Sequence, residues 1–311
     1  MLVTDLHGDY DAYARYRDHF LQLQAAGLAE TLIFCGDLIH TEESDEVDGS
    51  LEIVEDVLAL EERLGDHLIY LLGNHELPHL YGFALAKGDR VYTPSFERAM
   101  GTERARILAL FERLPFFART AAGVAICHAG AAAELVDARA MKRVLALSHS
   151  AVRAECDAFL DQHSRPALRT GLARLNGRSY DEMVSEYLGV TQRDDPRYDD
   201  LLRGSFVSIA SSDYPLLYVA LFTRNEQEYA RQYPGIVTSF LSNLSTGYAA
   251  QRVLVSGHLT CPNGYTIVTK HHLRIASGVH ARPRESARYL LLDCGERVES
   301  ADGLLAGLHR L

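Results

Sequence analysis

One stretch of the chain combines a short apolar run with polar side chains at its end. Residues 67–76 have the sequence HLIYLLGNHE, in which His67 to Leu72 form the predicted strand. Two similar runs precede it, at Met1 to Thr4 and Thr31 to Cys35. Amphipathic helical patterns separate the three runs, at Asp9 to Ala26 and Val47 to Leu64. Alternating strands and helices predict a parallel βαβαβ unit.

The pattern changes after this unit. A helix is predicted over Ser95 to Leu114 with Ser95 as its N-cap, followed by a β-hairpin formed by Phe116 to Thr120 and Val124 to His128. Four more short strands are predicted near the end of the chain, at Arg252 to Ser256, Tyr265 to Lys270, Leu273 to Ser277 and Arg288 to Asp293. We therefore expect an α/β fold, two packed mixed β-sheets flanked by helices (an αββα sandwich), in one domain over 1–311 with a mostly helical cap insertion over 131–251.

Composition limits the classes of function. The 311 residues are 47% hydrophobic and 23% charged, which is typical of a globular protein and argues against disorder. The 31 Lys and Arg residues against 42 Asp and Glu residues give a net charge of −11, which argues against nucleic-acid binding through phosphate attraction. The five cysteines form no CxxC pair, and Cys35 and Cys127 are predicted to be buried apolar residues. With no signal-peptide pattern and no membrane-length apolar run, we expect a cytoplasmic protein that binds no membrane.

Metal-binding side-chain types follow five of the predicted strands. They are Asp5, His7, Asp37, Asn74, His75, His128 and His258. Ligands of open α/β sheets bind where loops converge at the C-terminal ends of strands. Carboxylate, imidazole and amide ligands suit Mn, Fe or Zn, and seven candidates suit two ions about 3.5–4 Å apart rather than one.

The motifs Asp-x-His-Gly, Gly-Asp, Gly-Asn-His-Glu, His-x-Gly and Gly-His occur in that order along the chain. This set resembles the calcineurin-like metallophosphoesterase superfamily, and within it most closely the phosphoprotein phosphatase branch and its bacterial relatives. Thr260 favours that branch, because many other branches have a second His at this position. The segment Gly264 to Ile267 and the hairpin through Gly278 to His280 are also similar to the tail of these phosphatases, which ends in a final strand, here Leu290 to Asp293.

The resemblance implies a role for each matching residue. Asp5 and His7 would hold the first of two divalent metal ions, Asp37 would bridge both, Asn74, His128 and His258 would hold the second, and His75 would be the general acid. It implies a metal-dependent hydrolase that cleaves phosphate monoesters of protein or small molecules by in-line attack of a metal-bridging hydroxide. The segment 220–225 resembles one that supplies a phosphate-contacting arginine, which makes Arg224 the candidate for binding the phosphorylated substrate.

The chain departs from the family pattern beside the bridging aspartate. The usual block is Gly-Asp-x-x-Asp-Arg-Gly, but here His40 and Thr41 stand at the second Asp and the Arg, and Leu72 stands where Arg is frequent. Either another residue orients His75 or the acid step is weakened. His40 either hydrogen-bonds to substrate or solvent or is an exposed loop residue. Glu42, Glu43, Asp45 and Glu46 are predicted to form a solvated acidic turn.

Other expectations concern positions outside the ligand set. Asp9 is predicted at a helix N-terminus, where a carboxylate is favourable, and His271 and His272 are predicted to be exposed in a hairpin turn. The first strand has only four residues before Asp5, so a short preceding segment that is missing from the chain stays an open alternative.

Two alternative functions stay open as well. One is hydrolysis of dinucleoside polyphosphates, as in relatives with altered bridging motifs. The other is a metal-binding scaffold with little catalysis, which the missing Asp and Arg at positions 40 and 41 suggest. The sequence leaves the native metals, the physiological substrate and the oligomeric state undetermined.

Overall fold

The computed structural model describes residues 1–43 and 47–311. The strands are β1 (Leu2–Val3), β2 (Leu32–Phe34), β3 (Leu68–Tyr70), β4 (Ala86–Lys87), β5 (Arg90–Val91), β6 (Phe117–Arg119), β7 (Val124–Cys127), β8 (Val253–Ser256), β9 (Cys261–Pro262), β10 (Tyr265–Thr269), β11 (His272–Ile275), β12 (Ala281–Arg282), β13 (Tyr289–Leu290) and β14 (Leu308–His309). The helices are α1 (Tyr10–Ala25), α2 (Ser50–Leu64), α3 (Leu77–Tyr81), α4 (Thr93–Met100), α5 (Arg104–Glu112), α6 (Ala138–Leu145), α7 (His149–Asp161), α8 (Arg165–Asn176), α9 (Tyr180–Leu188), α10 (Asp200–Ala210), α11 (Tyr214–Phe222), α12 (Asn225–Glu228) and α13 (Tyr233–Leu244).

Two five-stranded mixed sheets form the centre of the molecule. The first has the order β14-β13-β1-β2-β3 and the second the order β10-β11-β8-β7-β6. Strands β1, β2 and β3 are parallel, with Leu2 opposite Ile33 and Leu32 opposite Leu68. The predicted βαβαβ unit is therefore confirmed, as is the predicted hairpin, because β6 and β7 pair in antiparallel fashion.

The sheets pack face to face, and helices cover their outer faces. Cys35 and Leu71 of the first sheet share one buried apolar cluster with Ile126 and Val255 of the second. Burial of each aliphatic side chain of this size contributes about 1.5–3 kcal/mol. Helices α1 and α2 pack on the first sheet and α13 on the second. The predicted αββα sandwich is confirmed.

Parallel strands bring five chain reversals to one edge of the sandwich. In the first sheet, β1, β2 and β3 end just before Asp5, Asp37 and Asn74. In the second sheet, the parallel strands β7 and β8 end just before His128 and His258. The predicted ligands therefore lie on loops that start from neighbouring strands.

The chain between β7 and β8 contains helices α6 to α13. Within it α7 packs against α10, which also contacts α3 beside the first sheet. Its role as a cap stays a prediction. Among the described residues, no single helix has the length and apolar character needed to cross a membrane, although the pair α10 and α11, bent by 101°, meets that criterion together.

Two helix boundaries differ from the prediction. The helix predicted over Ser95 to Leu114 is wrong, because the chain breaks at Gly101, where φ is 44°, into α4 and α5. Ser95 is not an N-cap, since α4 begins at Thr93 with Pro94 in its first turn, a position that proline favours. Helix α2 begins at Ser50 rather than Val47.

Among the single residues, the expectation for Asp9 is confirmed, since its Oδ1 accepts the backbone N–H of Ala12 at 2.9 Å. Cys35 and Cys127 are buried as predicted. The exposure predicted for His272 is wrong, because it is buried in β11, 2.8 Å from Ser256 Oγ. The pairing of β11 with β8 draws this residue inside.

The predicted acidic turn is wrong for Glu42, because its carboxylate is largely covered and binds Lys87 Nζ at 2.7 Å. Glu43 is exposed and pairs with Arg284 at 2.6 Å, and Asp45 and Glu46 lie outside the described residues.

Candidate metal centre

The loops at the sandwich edge hold their polar side chains through unusual backbone conformations. Asp5, His7, Asp37, His40 and His258 all have positive φ, between 48° and 71°. The left-handed region costs a residue other than glycine about 1–3 kcal/mol, and such residues cluster at functional sites. Five of them on converging loops indicate that the fold spends stability to aim these side chains inward.

One group of ligand atoms surrounds Asp37, His128 and His258. Oδ2 of Asp37 lies 3.3 Å from Nε2 of His128, which is 3.1 Å from Nδ1 of His258. Oδ1 of Asn74 lies 2.8 Å from the same Nε2 of His128. The structure thus brings together the four residues that the sequence assigned to the bridge and the second metal.

A second group contains Asp5 and His7, together with His280, which the sequence placed in the phosphatase-like tail but did not assign as a ligand. One ligand atom from each lies within 4.8 Å of the other two. His280 Nδ1 is 3.5 Å from Asp5 Oδ1, and its Nε2 is 3.8 Å from Glu42. His280 lies five residues beyond the end of β11 rather than directly after a strand, so the strand-end pattern could not reveal it.

The residues fit divalent cations. Four buried atoms of the two groups have no hydrogen-bond partner among the described residues: Oδ2 of Asp5, Nε2 of His7, Nε2 of His258 and Nδ1 of His280. Buried polar atoms are normally paired, and unpaired ones call for an unseen ion or water. Carboxylate and imidazole donors are ligands for Mn, Fe and Zn alike.

The protonation states of the centre follow from burial and from neighbouring charge. Burial raises the pKa of Asp37, but the imidazoles of His128 and His75 outweigh that effect and hold its pKa well below the usual range. Burial lowers the pKa of His128, yet Asp37 and Asp5 prevail and raise its pKa to about 9. Burial and the neighbouring His128 lower the pKa of His258 well below normal. The carboxylate of Asp37 is therefore ionised at neutral pH.

Glu76 of the Gly-Asn-His-Glu motif braces the bridging aspartate. Its carboxylate accepts backbone N–H groups from Asp37 at 3.1 Å, Leu38 at 3.0 Å and Gly73 at 3.0 Å. Burial and the nearby Asp37 raise the pKa of Glu76 to about 7. Gly36 is required beside it, because a Cβ there would lie 2.7 Å from His128 Nδ1. These contacts hold the second and third strand-end loops together.

A buried ion pair braces the other two loops. The Arg274 guanidinium donates to the carbonyl of Gly257 at 2.8 Å and to that of Ala129 at 3.3 Å. Its charge is balanced by Glu226 of α12. The carbonyls that it binds belong to residues next to His258 and His128. Neither Arg274 nor Glu226 belongs to a motif, so no sequence pattern indicated this brace.

His75 lies between the two groups of ligand atoms. Its backbone N–H donates to Asp37 Oδ1 at 2.9 Å, and its ring Nε2 is 4.0 Å from Asp37 Oδ2. Burial lowers the pKa of His75 to about 3, although Asp37 opposes this effect. On the far side of the ring, Nδ1 of His75 lies 3.2 Å from Nδ1 of His40. The alternative that His40 is an exposed loop residue is wrong, because only 1% of it is exposed.

Arg224 lies outside the cluster. It is exposed at the start of α12, and no hydrogen bond or ion pair joins it to the predicted ligands within the described part of the chain. Its neighbour Asn225 accepts the backbone N–H of Ala133 at 2.6 Å, in the loop that follows His128. A cavity of about 500 Å³ opens beside His7, and Arg284 is among the residues that line it.

Comparison with known proteins places the chain in a family. The family model of calcineurin-like phosphoesterases matches residues 1–188, more than half of the chain. The chain therefore belongs to the calcineurin-like phosphoesterase family.

Solved structures share a general likeness with the chain. A serine/threonine phosphatase of Saccharomyces cerevisiae is 12% identical, with a TM-score of 0.43 over 99% of this chain and 76% of that one. A cold-active protein tyrosine phosphatase is 16% identical, with a TM-score of 0.42 over 94% and 72%. The cold-active protein tyrosine phosphatase of a psychrophilic Shewanella species is 15% identical, with a TM-score of 0.36 over 94% and 74%. A search of curated proteins found no match. The family assignment depends on the family model alone.

Proposed function

We propose that this protein is a metal-dependent phosphatase that hydrolyses phosphate monoesters at a centre of two divalent ions. The observation that carries the proposal is the set of buried ligand atoms without partners at one sandwich edge. Asp37 lies between the two groups, with Oδ2 3.8 Å from Nε2 of His7 and 3.3 Å from Nε2 of His128. This position suits a carboxylate shared by two cations.

Each residue has a distinct task in the proposal. Asp5 and His7, joined by His280, would hold one ion, and Asn74, His128 and His258 would hold the other. Such ions, when bound, supply positive charge to the phosphoryl oxygens and favour the ionisation of water. His75 presents Nε2 toward the same space. It would take up a proton there from water and then give it to the departing oxygen, a step worth about 10²–10⁴-fold in rate.

Substrate binding belongs to the proposal as well. Arg224, which is exposed at the start of α12, would contact the phosphorylated substrate. The helical segment 131–251 would be a cap that shapes the substrate pocket. Thr260, which follows His258, and the tail segments Gly264 to Ile267 and Gly278 to His280 favour a place within the phosphoprotein phosphatase branch. Manganese, iron and zinc are all compatible with the ligand set.

The test combines metal binding with turnover. The purified protein, stripped with chelator and then loaded separately with Mn, Fe or Zn, is offered p-nitrophenyl phosphate, a phosphopeptide and a dinucleoside polyphosphate. We expect two ions per chain by elemental analysis and hydrolysis of the monoesters. A metal present at 100 times its Kd stabilises the fold by about 2.7 kcal/mol, which thermal unfolding detects.

Asp37→Asn is the diagnostic variant. Loss of the shared carboxylate should reduce both metal content and activity, the latter by roughly 10³-fold, equivalent to about 4 kcal/mol of transition-state stabilisation. Glu186→Gln, on the exposed surface of α9, is the matched control. Full metal loading without turnover of any substrate would replace the enzyme by the scaffold alternative. Preferential cleavage of the dinucleotide would change the substrate class.

A further inference from the structure

A line of buried side chains leads away from His75 on the side opposite the metal ligands. Nδ1 of His75 is 3.2 Å from Nδ1 of His40, and Nε2 of His40 is 2.9 Å from Nε2 of His79. Nδ1 of His79 is 2.7 Å from Oε1 of Glu97 in α4. Each distance is that of a hydrogen bond, so three imidazole rings and one carboxylate form a continuous chain.

The surroundings hold the rings in place. Tyr92 stacks on His40 at a centroid distance of 5.8 Å and an interplanar angle of 19°. Phe96 meets His79 edge to face at 5.0 Å. His40, His79 and Glu97 are each less than 5% exposed. Aromatic packing and burial therefore leave the rings few other hydrogen-bond partners.

Glu97 determines which atom donates and which accepts in each hydrogen bond of this chain. Its second oxygen, Oε2, receives the Arg104 guanidinium at 2.8 Å. Burial raises the pKa of Glu97, but His79 and Arg104 prevail and lower its pKa to about 2. An ionised carboxylate can only accept hydrogen bonds. Nδ1 of His79 must therefore carry the proton in the bond to Glu97.

With all three rings neutral, each imidazole carries one proton, and the remaining bonds follow. Since His79 has its proton on Nδ1, its Nε2 accepts from Nε2–H of His40. Nδ1 of His40 then has no proton and accepts from Nδ1–H of His75. The free nitrogen of His75 is Nε2, on the side of Asp37. A carboxylate two imidazole rings away thus determines which nitrogen of His75 carries the proton.

We propose that His40, His79 and Glu97 are positioning residues that fix the orientation and tautomer of His75. This inference rests on the proposed function, in which the unprotonated Nε2 of His75 takes up a proton from water and then gives it to the departing oxygen. The hydrogen-bond chain compensates for the replacement of the family's second aspartate by His40. In the family pattern, that aspartate would accept a hydrogen bond directly from His75. Here an imidazole takes that position, and Glu97 supplies the carboxylate from α4.

The first test uses substrates with good and poor leaving groups. His40→Ala should lower kcat for phenyl phosphate by about 10²-fold and kcat for p-nitrophenyl phosphate by less than about tenfold, because an acidic leaving group needs less protonation. KM should change little. Glu97→Gln should lower kcat for phenyl phosphate by about tenfold. An amide can both donate and accept, so it no longer determines which nitrogen of His79 carries the proton. His40→Asp should restore most of the rate on phenyl phosphate.

The matched control is His149→Gln, which alters a buried histidine of α7 that bonds Tyr81 instead of the chain. It should affect both substrates equally, by about twofold or less. Parallel losses on both substrates in His40→Ala and Glu97→Gln, without rescue by His40→Asp, would overturn the inference.

The second test needs no turnover. Nitrogen-15 NMR of the histidine rings should show His75 with its proton on Nδ1, assigned from the signal missing in His75→Gln. In Glu97→Gln and in His40→Ala that signature should weaken. A wild-type His75 with its proton on Nε2 would refute the inferred direction of the hydrogen-bond chain, even in an active enzyme. An inactive, metal-loaded protein with the expected NMR signature would refute the proposed function and leave the chain in place.

Discussion

The metal centre and the α8–α9 region (residues 165–188) treat polar groups in opposite ways. At the centre, ligand atoms of Asp5, His7 and His258 are buried and have no hydrogen-bond partner within residues 1–43 and 47–311. Helix α8 has no buried residue, and its Arg169 pairs with Asp199 at 2.6 Å near the surface. Burying a charge costs several kcal/mol unless it is paired, whereas an exposed pair changes stability by about 1 kcal/mol or less. Only the centre therefore carries a free-energy cost of burial that metal binding would offset.

The contrast also separates two uses of charge. In α8 and α9, charged side chains keep the helices hydrated, and Arg178 and Glu186 meet with each about 40% exposed. Near the centre, Arg274 is 3% exposed and depends on Glu226. Removal of a charged partner should therefore lower the stability of the protein near the centre but not in α8 and α9.

The largest effect is expected from Glu226→Gln. It leaves the Arg274 charge buried without its counter-ion, so the free energy of unfolding should fall by about 3–5 kcal/mol. Urea unfolding of the metal-free protein measures the loss, and titration with Mn then measures any weakening of metal affinity. A loss below about 1 kcal/mol would erase the distinction between the two regions.

An intermediate effect on stability is expected from the protonation of His149 in α7, whose Nδ1 lies 2.8 Å from the OH of Tyr81 in α3. Burial, with a smaller effect of Arg153, lowers the pKa of His149 to about 4. The unfolded chain therefore binds this proton more tightly, and stability is lost as pH falls below about 6.5 toward 4.

This single group should cost about 2 kcal/mol between pH 7.5 and pH 5. Urea unfolding at both pH values should show a smaller difference for His149→Gln than for the wild type. Equal differences in the two proteins would mean that the imidazole is not sheltered in the folded state.

The smallest effect is expected from Glu186→Gln in α9. The exposed pair with Arg178 is screened by water and salt, so the free energy of unfolding should change by less than about 1 kcal/mol. Thermal unfolding at low and high salt provides the measurement. A change as large as that of Glu226→Gln would contradict the idea that this region only hydrates the surface.

The sequence predicted the parts of the site that depend on local pattern. Strands of apolar residues ending at Asp5, Asp37 and Asn74 could be identified because parallel strands place their ends at one edge. The grouping of these side chains with His128 and His258 follows from the same rule. Their roles in catalysis stay predictions.

The sequence did not predict the contacts between distant segments. His280 reaches the centre from a loop and Glu226 from the short helix α12, and the positions of both depend on tertiary packing. The link from His40 to Glu97 requires the position of α4, whose start was predicted wrongly because Pro94 was not used as a helix signal. Hydrophobic periodicity contains no information about such pairings.

The position of β1 has a consequence for biosynthesis. Leu2 pairs with both Ile33 and Leu290, and the Asp5 carboxylate is held by the backbone N–H of His258 at 2.8 Å. Asp5 is thus the first residue of the centre to be synthesised, but its position is fixed only after β13, the last strand but one, has been made. Such long-range pairing slows folding and exposes apolar surface meanwhile. Premature termination anywhere before β13 should therefore yield a chain that cannot complete its first sheet.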